Sequence, residues 1–286
     1  MYAVALAFLA ASLFGAALVS TQFGLRHGDA LSGARVSIPA ATAVLWLLSP
    51  LFFDIAGEII PAAGIFALVG LFFPAAVTLL SFEANRRMGP TIAGTVGGTA
   101  PLFAVVAAVV FLGEPASLQL FGGCVLVVMG TAVLCLAPGA SRAVWVRTAL
   151  WLPLAAAILR ALAQVLSKAG LMLWPNPFAA ALIGYTVSAL AVWWLPRFFR
   201  LRTTPALSPA GKRWFALTGL LNAAAVLAMY AALIQGAVGM VSPIVAVYPV
   251  FTLALSALLL RQERLGVRMI AGVALSVSGV AWLLAR

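Results

Sequence analysis

Charge is scarce in this chain. Of 286 residues, 17 are Lys or Arg, 6 are Asp or Glu and one is His. Soluble domains carry about 25% charged residues, and 8% cannot cover a water-facing surface. With six acids and a single histidine, no His, Asp or Ser–His constellation gathers at one membrane face, which argues against an enzyme. No metal site or cofactor is expected. The two cysteines, Cys124 and Cys135, share one apolar run without metal-type spacing and read as small hydrophobes. The basic residues are not clustered beside polar, aromatic-interleaved surface, so the net charge of +11 does not point to nucleic acid. Alternating strand-like segments are missing too, which excludes a membrane β-barrel.

What the chain has in abundance is apolar length: 65% of its residues are hydrophobic. A membrane helix needs about 20 such residues. Runs of this kind lie near 2–22, 33–53, 60–82, 90–112, 117–137, 148–170, 177–197, 213–234, 239–260 and 266–285. Short connections separate them, among them Arg86-Arg87-Met88-Gly89, Gly113-Glu114-Pro115 and Trp174-Pro175-Asn176-Pro177. The predicted fold is all-α and membrane-integral, with ten transmembrane helices and the lipid bilayer as solvent. The first run lacks a basic stretch before it, since its first cation is Arg26, so it is expected to be a retained helix rather than a signal. The connections after the odd-numbered spans hold 14 of the 17 cations, from Arg26 and Arg35 to Arg261, Arg264 and Arg268. The positive-inside bias then puts those connections in the cytoplasm and both termini on the periplasmic side.

The chain also repeats itself. Pro101 and Pro249, Phe103 and Phe251, and Phe82 and Tyr230 are each 148 residues apart. Glu114 and Glu263, Gly123 and Gly272, and Gly130 and Gly279 are each 149 apart, while Gly24-Leu25 and Gly170-Leu171 are offset by 146. This divides the chain into repeats at 1–142 and 143–286. Each holds five spans, an odd number, so the two must cross the membrane in opposite senses. That is the inverted-repeat plan of secondary transporters, with a substrate site near the midplane and alternate opening to either side.

The block Gly89-Pro90 … Pro101-Leu102-Phe103 … Leu112-Gly113-Glu114-Pro115 … Gly122-Gly123 … Gly130 resembles the EamA module of the drug/metabolite transporter superfamily. That module typically occurs twice, giving ten helices. The second copy departs from it, with Leu260-Arg261-Gln262-Glu263 in place of the Leu-Gly-Glu turn. Within the superfamily the chain is most similar to bacterial YddG-type exporters of aromatic amino acids. The resemblance implies a multi-pass protein of the bacterial inner membrane that exports amino acids; a monomer is one expected state, which the sequence does not fix.

Span 4 carries Gly97 ahead of Pro101, and span 9 carries Pro249. Proline frees the carbonyl four residues back, here Gly97 and Val245. Helices interrupted at matching places in two inverted halves point to a transport site, with Gly97, Pro101 and Pro249 as the hinge. The alternative is that proline and glycine are simply common in membrane helices. Thr95, Thr99 and Tyr248 are the polar groups nearest the breaks.

Arg160 falls near the middle of span 6, where an arginine costs about 2.5–3.5 kcal/mol to insert. Gln164 and Lys168 follow on the same helix face. The functional reading is a cationic anchor for a substrate carboxylate, with Gln164 assisting. The alternatives are an arginine that snorkels to an interface or one paired with Glu83. Phe82 and Tyr230, with Thr78 and Asn222 on their faces, suit the walls of a small apolar or aromatic ligand's site, or plain packing. Glu114 and Glu263 are expected to complement the dipoles at the starts of spans 5 and 10. No acid lies deep in a span, which leaves a cationic drug without a counter-charge. A multidrug or cationic-compound exporter is therefore the weaker alternative. A receptor or scaffold, which usually shows a soluble domain or long tail, is the alternative of another class.

Overall fold

The computed structural model describes residues 1–54, 59–135, 150–198, 207–260 and 267–285, with backbone only for 85–95, 134–135, 195–198, 256–257, 259–260 and 268–269. All regular structure in it is helical: α1 (Tyr2–Leu25), α2 (Ala30–Phe52), α3 (Ile59–Phe72), α4 (Ala75–Gly97), α5 (Ala100–Leu112), α6 (Leu118–Cys135), α7 (Trp151–Leu173), α8 (Pro177–Phe198), α9 (Pro209–Gln235), α10 (Val238–Val245), α11 (Tyr248–Leu260) and α12 (Val267–Leu284). Seven stretches are long and apolar enough to cross a membrane, one of them Ile59–Ala84, which bridges α3 and α4. The shorter apolar helices Ala100–Leu112, Leu118–Val133 and Ile270–Leu284 take the places of the other three spans. Large apolar side chains such as Leu47, Leu71, Phe111, Leu118 and Trp282 stand exposed on the outside, as expected where the solvent is hydrocarbon.

The main helix pairings are kept when the two halves are exchanged. α1 packs on α9 as α3 and α4 pack on α7; α2 packs on α9 as α8 packs on α3; α6 and α12 pack on each other. Without a hydrophobic drive between helices in lipid, such crossings depend on close approach at small residues. A Cβ on Gly130 would stand 2.8 Å from the Gly272 carbonyl oxygen, and one on Gly123 3.1 Å from that of Gly279. Exchanging the halves turns either contact into the other. Gly24 lies under the Phe215 ring and Gly170 under the Phe66 ring by the same rule. Even the caps match: Asp29 accepts from the Ser32 amide at the start of α2, and Asn176 from the Ala179 amide at the start of α8, each at 2.9 Å.

One boundary differs from expectation. The break predicted at Arg86–Gly89 is helical backbone inside α4, because Ala84, Arg86, Arg87 and Met88 are all good helix formers. A separate interruption lies within the third span, at Phe73–Pro74, where the peptide bond is cis. There Ser188 of α8 donates to the Gly70 carbonyl (2.6 Å) and accepts from the Ala75 amide (3.3 Å), satisfying backbone groups beside the break.

Candidate functional site: a cavity between the interrupted helices

The two interruptions predicted around Pro101 and Pro249 are the same turn built twice. α4 ends at Gly97 and α5 begins at Ala100; α10 ends at Val245 and α11 begins at Tyr248. In the first turn the Thr99 amide donates to Val96 O at 3.1 Å and the Leu102 amide to Thr99 O at 3.0 Å. In the second, the Val247 amide donates to Ile244 O at 3.1 Å and the Val250 amide to Val247 O at 2.9 Å. Proline just inside the second helix of each pair has no amide to donate, so the helix restarts after a tight turn instead of running through.

A cavity of about 140 Å³ opens against both turns, close to the roughly 150 Å³ that accepts a benzene ring in an engineered protein core. α1 contributes Phe14 and Leu18, the α3–α4 break Phe73 and Pro74, and α4 Thr78 and Phe82. From the other half come Arg160 and Gln164 of α7, Tyr185 of α8, Asn222 of α9, Ser242 of α10 and Tyr248 of α11. Arg160 lies nine residues, roughly 13.5 Å, into α7. No other charged residue is on this wall among the described residues, and Arg160 has no hydrogen bond or ion pair there. Gln164, one turn on, is buried, with its carboxamide oxygen unpaired.

Of the residues expected at the site, Arg160, Gln164, Thr78, Phe82, Asn222, Tyr248, Gly97 and Pro101 all line this one cavity. Three others stand apart from it. Tyr230 is buried behind the wall, its hydroxyl accepting from Ser167 at 3.0 Å. The Thr99 hydroxyl turns back onto Val96 O at 2.6 Å, and Pro249 follows Tyr248 without reaching the cavity. The Thr95 side chain lies outside the described residues.

Phe14, Tyr185, Ser242 and the Phe73–Pro74 break went unnoticed in the sequence. A signal for Phe14 was available, since it is 146 residues before Arg160, the offset that relates Gly24 to Gly170. No comparable signal marks Tyr185 among the other aromatics.

Glu114 also behaves differently from expectation. Its carboxylate does not serve the start of span 5. It reaches across to the first turn of α10, accepting from Val238 N at 2.6 Å and Gly239 N at 2.9 Å. Those amides are free helix-start donors at the positive end of the α10 dipole, a better seat for a carboxylate than a loop. Lys168 completes the clamp, donating to the carbonyls of Leu233 and Gly236 (3.2 Å for the latter) at the end of α9. The α9–α10 turn is thus held by an anion on its amides and a cation on its carbonyls. Glu263 lies outside the described residues.

Two copies of one family model, the EamA-like transporter family, match residues 1–136 and 147–285. The chain belongs to the EamA-like transporter family. As a member it is a membrane transporter of small molecules rather than an enzyme. No curated protein matches the chain. Solved structures do: one, described only as "Crystal structure of protein", superposes with a TM-score of 0.77 over 99% of this chain and 98% of that chain, at 18% identity. That likeness speaks for the fold of this family member and for nothing finer.

Proposed function

We propose that the protein exports amino acids with aromatic or apolar side chains across the bacterial inner membrane, by alternating access, as the YddG-type exporters it resembles do. The observation that carries this reading is Arg160, a cation without a protein partner among the described residues, on the wall of a cavity that also holds Phe14, Phe73 and Phe82. A guanidinium in that setting suits a carboxylate, which it can grip in a bidentate fork. The aromatic side suits an apolar body. Among the described residues the lining holds no acid, which disfavours a cationic drug. A pure receptor or scaffold gives no use to paired helix interruptions beside a cavity.

In this mechanism Arg160 and Gln164 hold the carboxylate end, and Phe82 and Tyr248 face the side chain. Residues 1–142 and 143–286 are the moving bodies, with Gly97, Pro101 and Pro249 as the hinge. The cation-rich connections lie in the cytoplasm, both termini are periplasmic, and one chain suffices.

The test is counterflow of labelled phenylalanine into proteoliposomes, with Arg160→Ala beside the unmodified protein. Uptake that Arg160→Ala abolishes while the variant stays folded supports both substrate class and anchor. Normal transport by Arg160→Ala removes the central residue, and no uptake by the unmodified protein removes the substrate class.

A further inference from the structure

Resting on the amino-acid reading of the cavity, we propose that the Gln164 carboxamide oxygen, Tyr185 and Ser242 form a second polar subsite beside Arg160 that receives the ligand's ammonium group, leaving the Gln164 NH2 to assist Arg160 on the carboxylate. The three residues come from three different helices, α7, α8 and α10, and line the same cavity. They are 3%, 2% and 1% exposed, respectively. In each, the terminal polar atom (the Gln164 carboxamide oxygen, the Tyr185 hydroxyl and the Ser242 hydroxyl) is shut off from solvent and has no hydrogen-bond partner. Buried polar atoms are almost always paired, so three orphans around one cavity call for an explanation. All three residues line that cavity, and the partner we assign to them is a ligand seated there.

The donor chemistry narrows the choice. A carboxamide oxygen can only accept, and hydroxyls can accept as well as donate. An ammonium offers three N–H donors and no acceptor, one for each orphan. A second carboxylate would face the Gln164 oxygen lone pair to lone pair. Arg160 and Gln164 are four residues apart on one helix, which puts their Cβ atoms about 5–6 Å from each other. Groups that close can serve a carboxylate and an ammonium borne on the same carbon. The carboxylate also shields the ammonium from the guanidinium, so a simple amine, lacking it, is repelled.

The first half also brings hydroxyls to the wall, at Thr21, Ser37, Thr78 and Ser81, but not at the positions that match this cluster. Positions matching Arg160 and Gln164 at the 146-residue offset are Phe14 and Leu18. The Asp29 and Asn176 caps set an offset of 147 between α2 and α8, which matches Tyr185 with Ile38. Ser242 corresponds to Gly94, and Tyr248 to Ala100, at 148. None of these counterparts can hydrogen-bond through its side chain. The ligand's charged head therefore lies against the second half, and Phe14, Phe73 and Phe82 of the first half are left for its apolar body.

The experiment measures ligand-dependent thermal stabilisation of the full chain in detergent. The probes are phenylalanine against 3-phenylpropionate, leucine against 4-methylpentanoate, and phenethylamine. The unmodified protein is expected to prefer each amino acid to its deaminated partner by about ten-fold or more, and to ignore phenethylamine. Tyr185→Phe and Ser242→Ala should each cut that preference by about 3- to 10-fold, leaving the affinity for the deaminated acids unchanged. Should Tyr185→Phe fail to fold, Ser242→Ala carries the same measurement. Equal binding of amino acids and deaminated acids by the unmodified protein overturns the ammonium subsite but leaves the carboxylate reading standing. So does a variant that weakens both ligand types alike. If none of the acids binds, both readings fall.

Discussion

Gly130 against Gly272 and Gly123 against Gly279 are one crossing read from two ends, while Gly24 under Phe215 and Gly170 under Phe66 are two crossings that the exchange of halves turns into each other. Across the cavity the same exchange of halves sets Phe14 against Arg160, Leu18 against Gln164 and the Phe73–Pro74 break against Asn222. The halves match where helices must approach closely and part company where side chains face the cavity. Packing in lipid depends on backbone proximity, which only small residues allow, and both halves meet that demand in the same way. Recognition of an amphipathic molecule needs a polar end and an apolar end, which a symmetric wall cannot supply.

The largest expected effect falls on that asymmetry. Arg160→Ala should lower ligand affinity by about 30-fold to several thousand-fold, the range for removing one partner of a buried charge pair at about 2–5 kcal/mol. Phe14→Ala, at the matching position, should cost much less and mainly for ligands with bulky side chains. Equal losses for a short-chain and an aromatic amino acid in Phe14→Ala would contradict the assignment of the first half to the apolar body. Next come the crossings, where symmetry predicts equality. Gly130→Val and Gly279→Val should each destabilise the protein by about 1–3 kcal/mol, since their added carbons meet the Gly272 carbonyl oxygen and the Val127 amide nitrogen, both at 2.8 Å. Melting temperatures that differ widely between the two would break the equivalence.

The ten spans and the repeat were legible in the sequence because both are written in local terms: runs of apolar residues and offsets between prolines and glycines. The interruptions near Pro101 and Pro249 were legible for the same reason, as a missing amide acts within one turn of its own position. Arg160 could be read from cost alone. Tyr230 and Thr99 could not be placed, since both point to partners in the structure: a hydroxyl on a neighbouring helix for Tyr230, and a carbonyl three residues back for Thr99. Glu114 was misassigned because α10, the helix it caps, starts 124 residues further on, and no local pattern announces that approach.

The clamp on the α9–α10 turn sharpens the comparison at a third level. Lys168 holds two carbonyls at the end of α9, whereas Gln22, its counterpart at the 146-residue offset, is exposed on α1. Lys168→Met should therefore destabilise the protein by about 1.5–3 kcal/mol, the worth of hydrogen bonds to a charged group, and Gln22→Ala by no more than about 0.5 kcal/mol. Glu114→Gln keeps the shape but loses the charge facing the α10 amides, an expected loss of about 0.3–1 kcal/mol. Chemical denaturation or thermal melting in one detergent ranks the three. A Gln22→Ala protein as unstable as Lys168→Met would mean that the clamp exists on both sides.

A small effect is expected at Thr99 as well. Its hydroxyl donates to Val96 O at 2.6 Å, which suggests that the turn between α4 and α5 depends on it. The matching residue in the other half is Val247, which has no hydroxyl, yet the turn there forms the same backbone bonds at 3.1 and 2.9 Å. A hydroxyl dispensable in one copy cannot be what shapes the other; proline and the surrounding packing must do so in both. Thr99→Val should accordingly change stability by less than about 1 kcal/mol and leave ligand binding within two-fold of the unmodified protein. A loss several times larger would show that the two turns are alike in geometry but not in what maintains them, and the first would then be the weaker hinge.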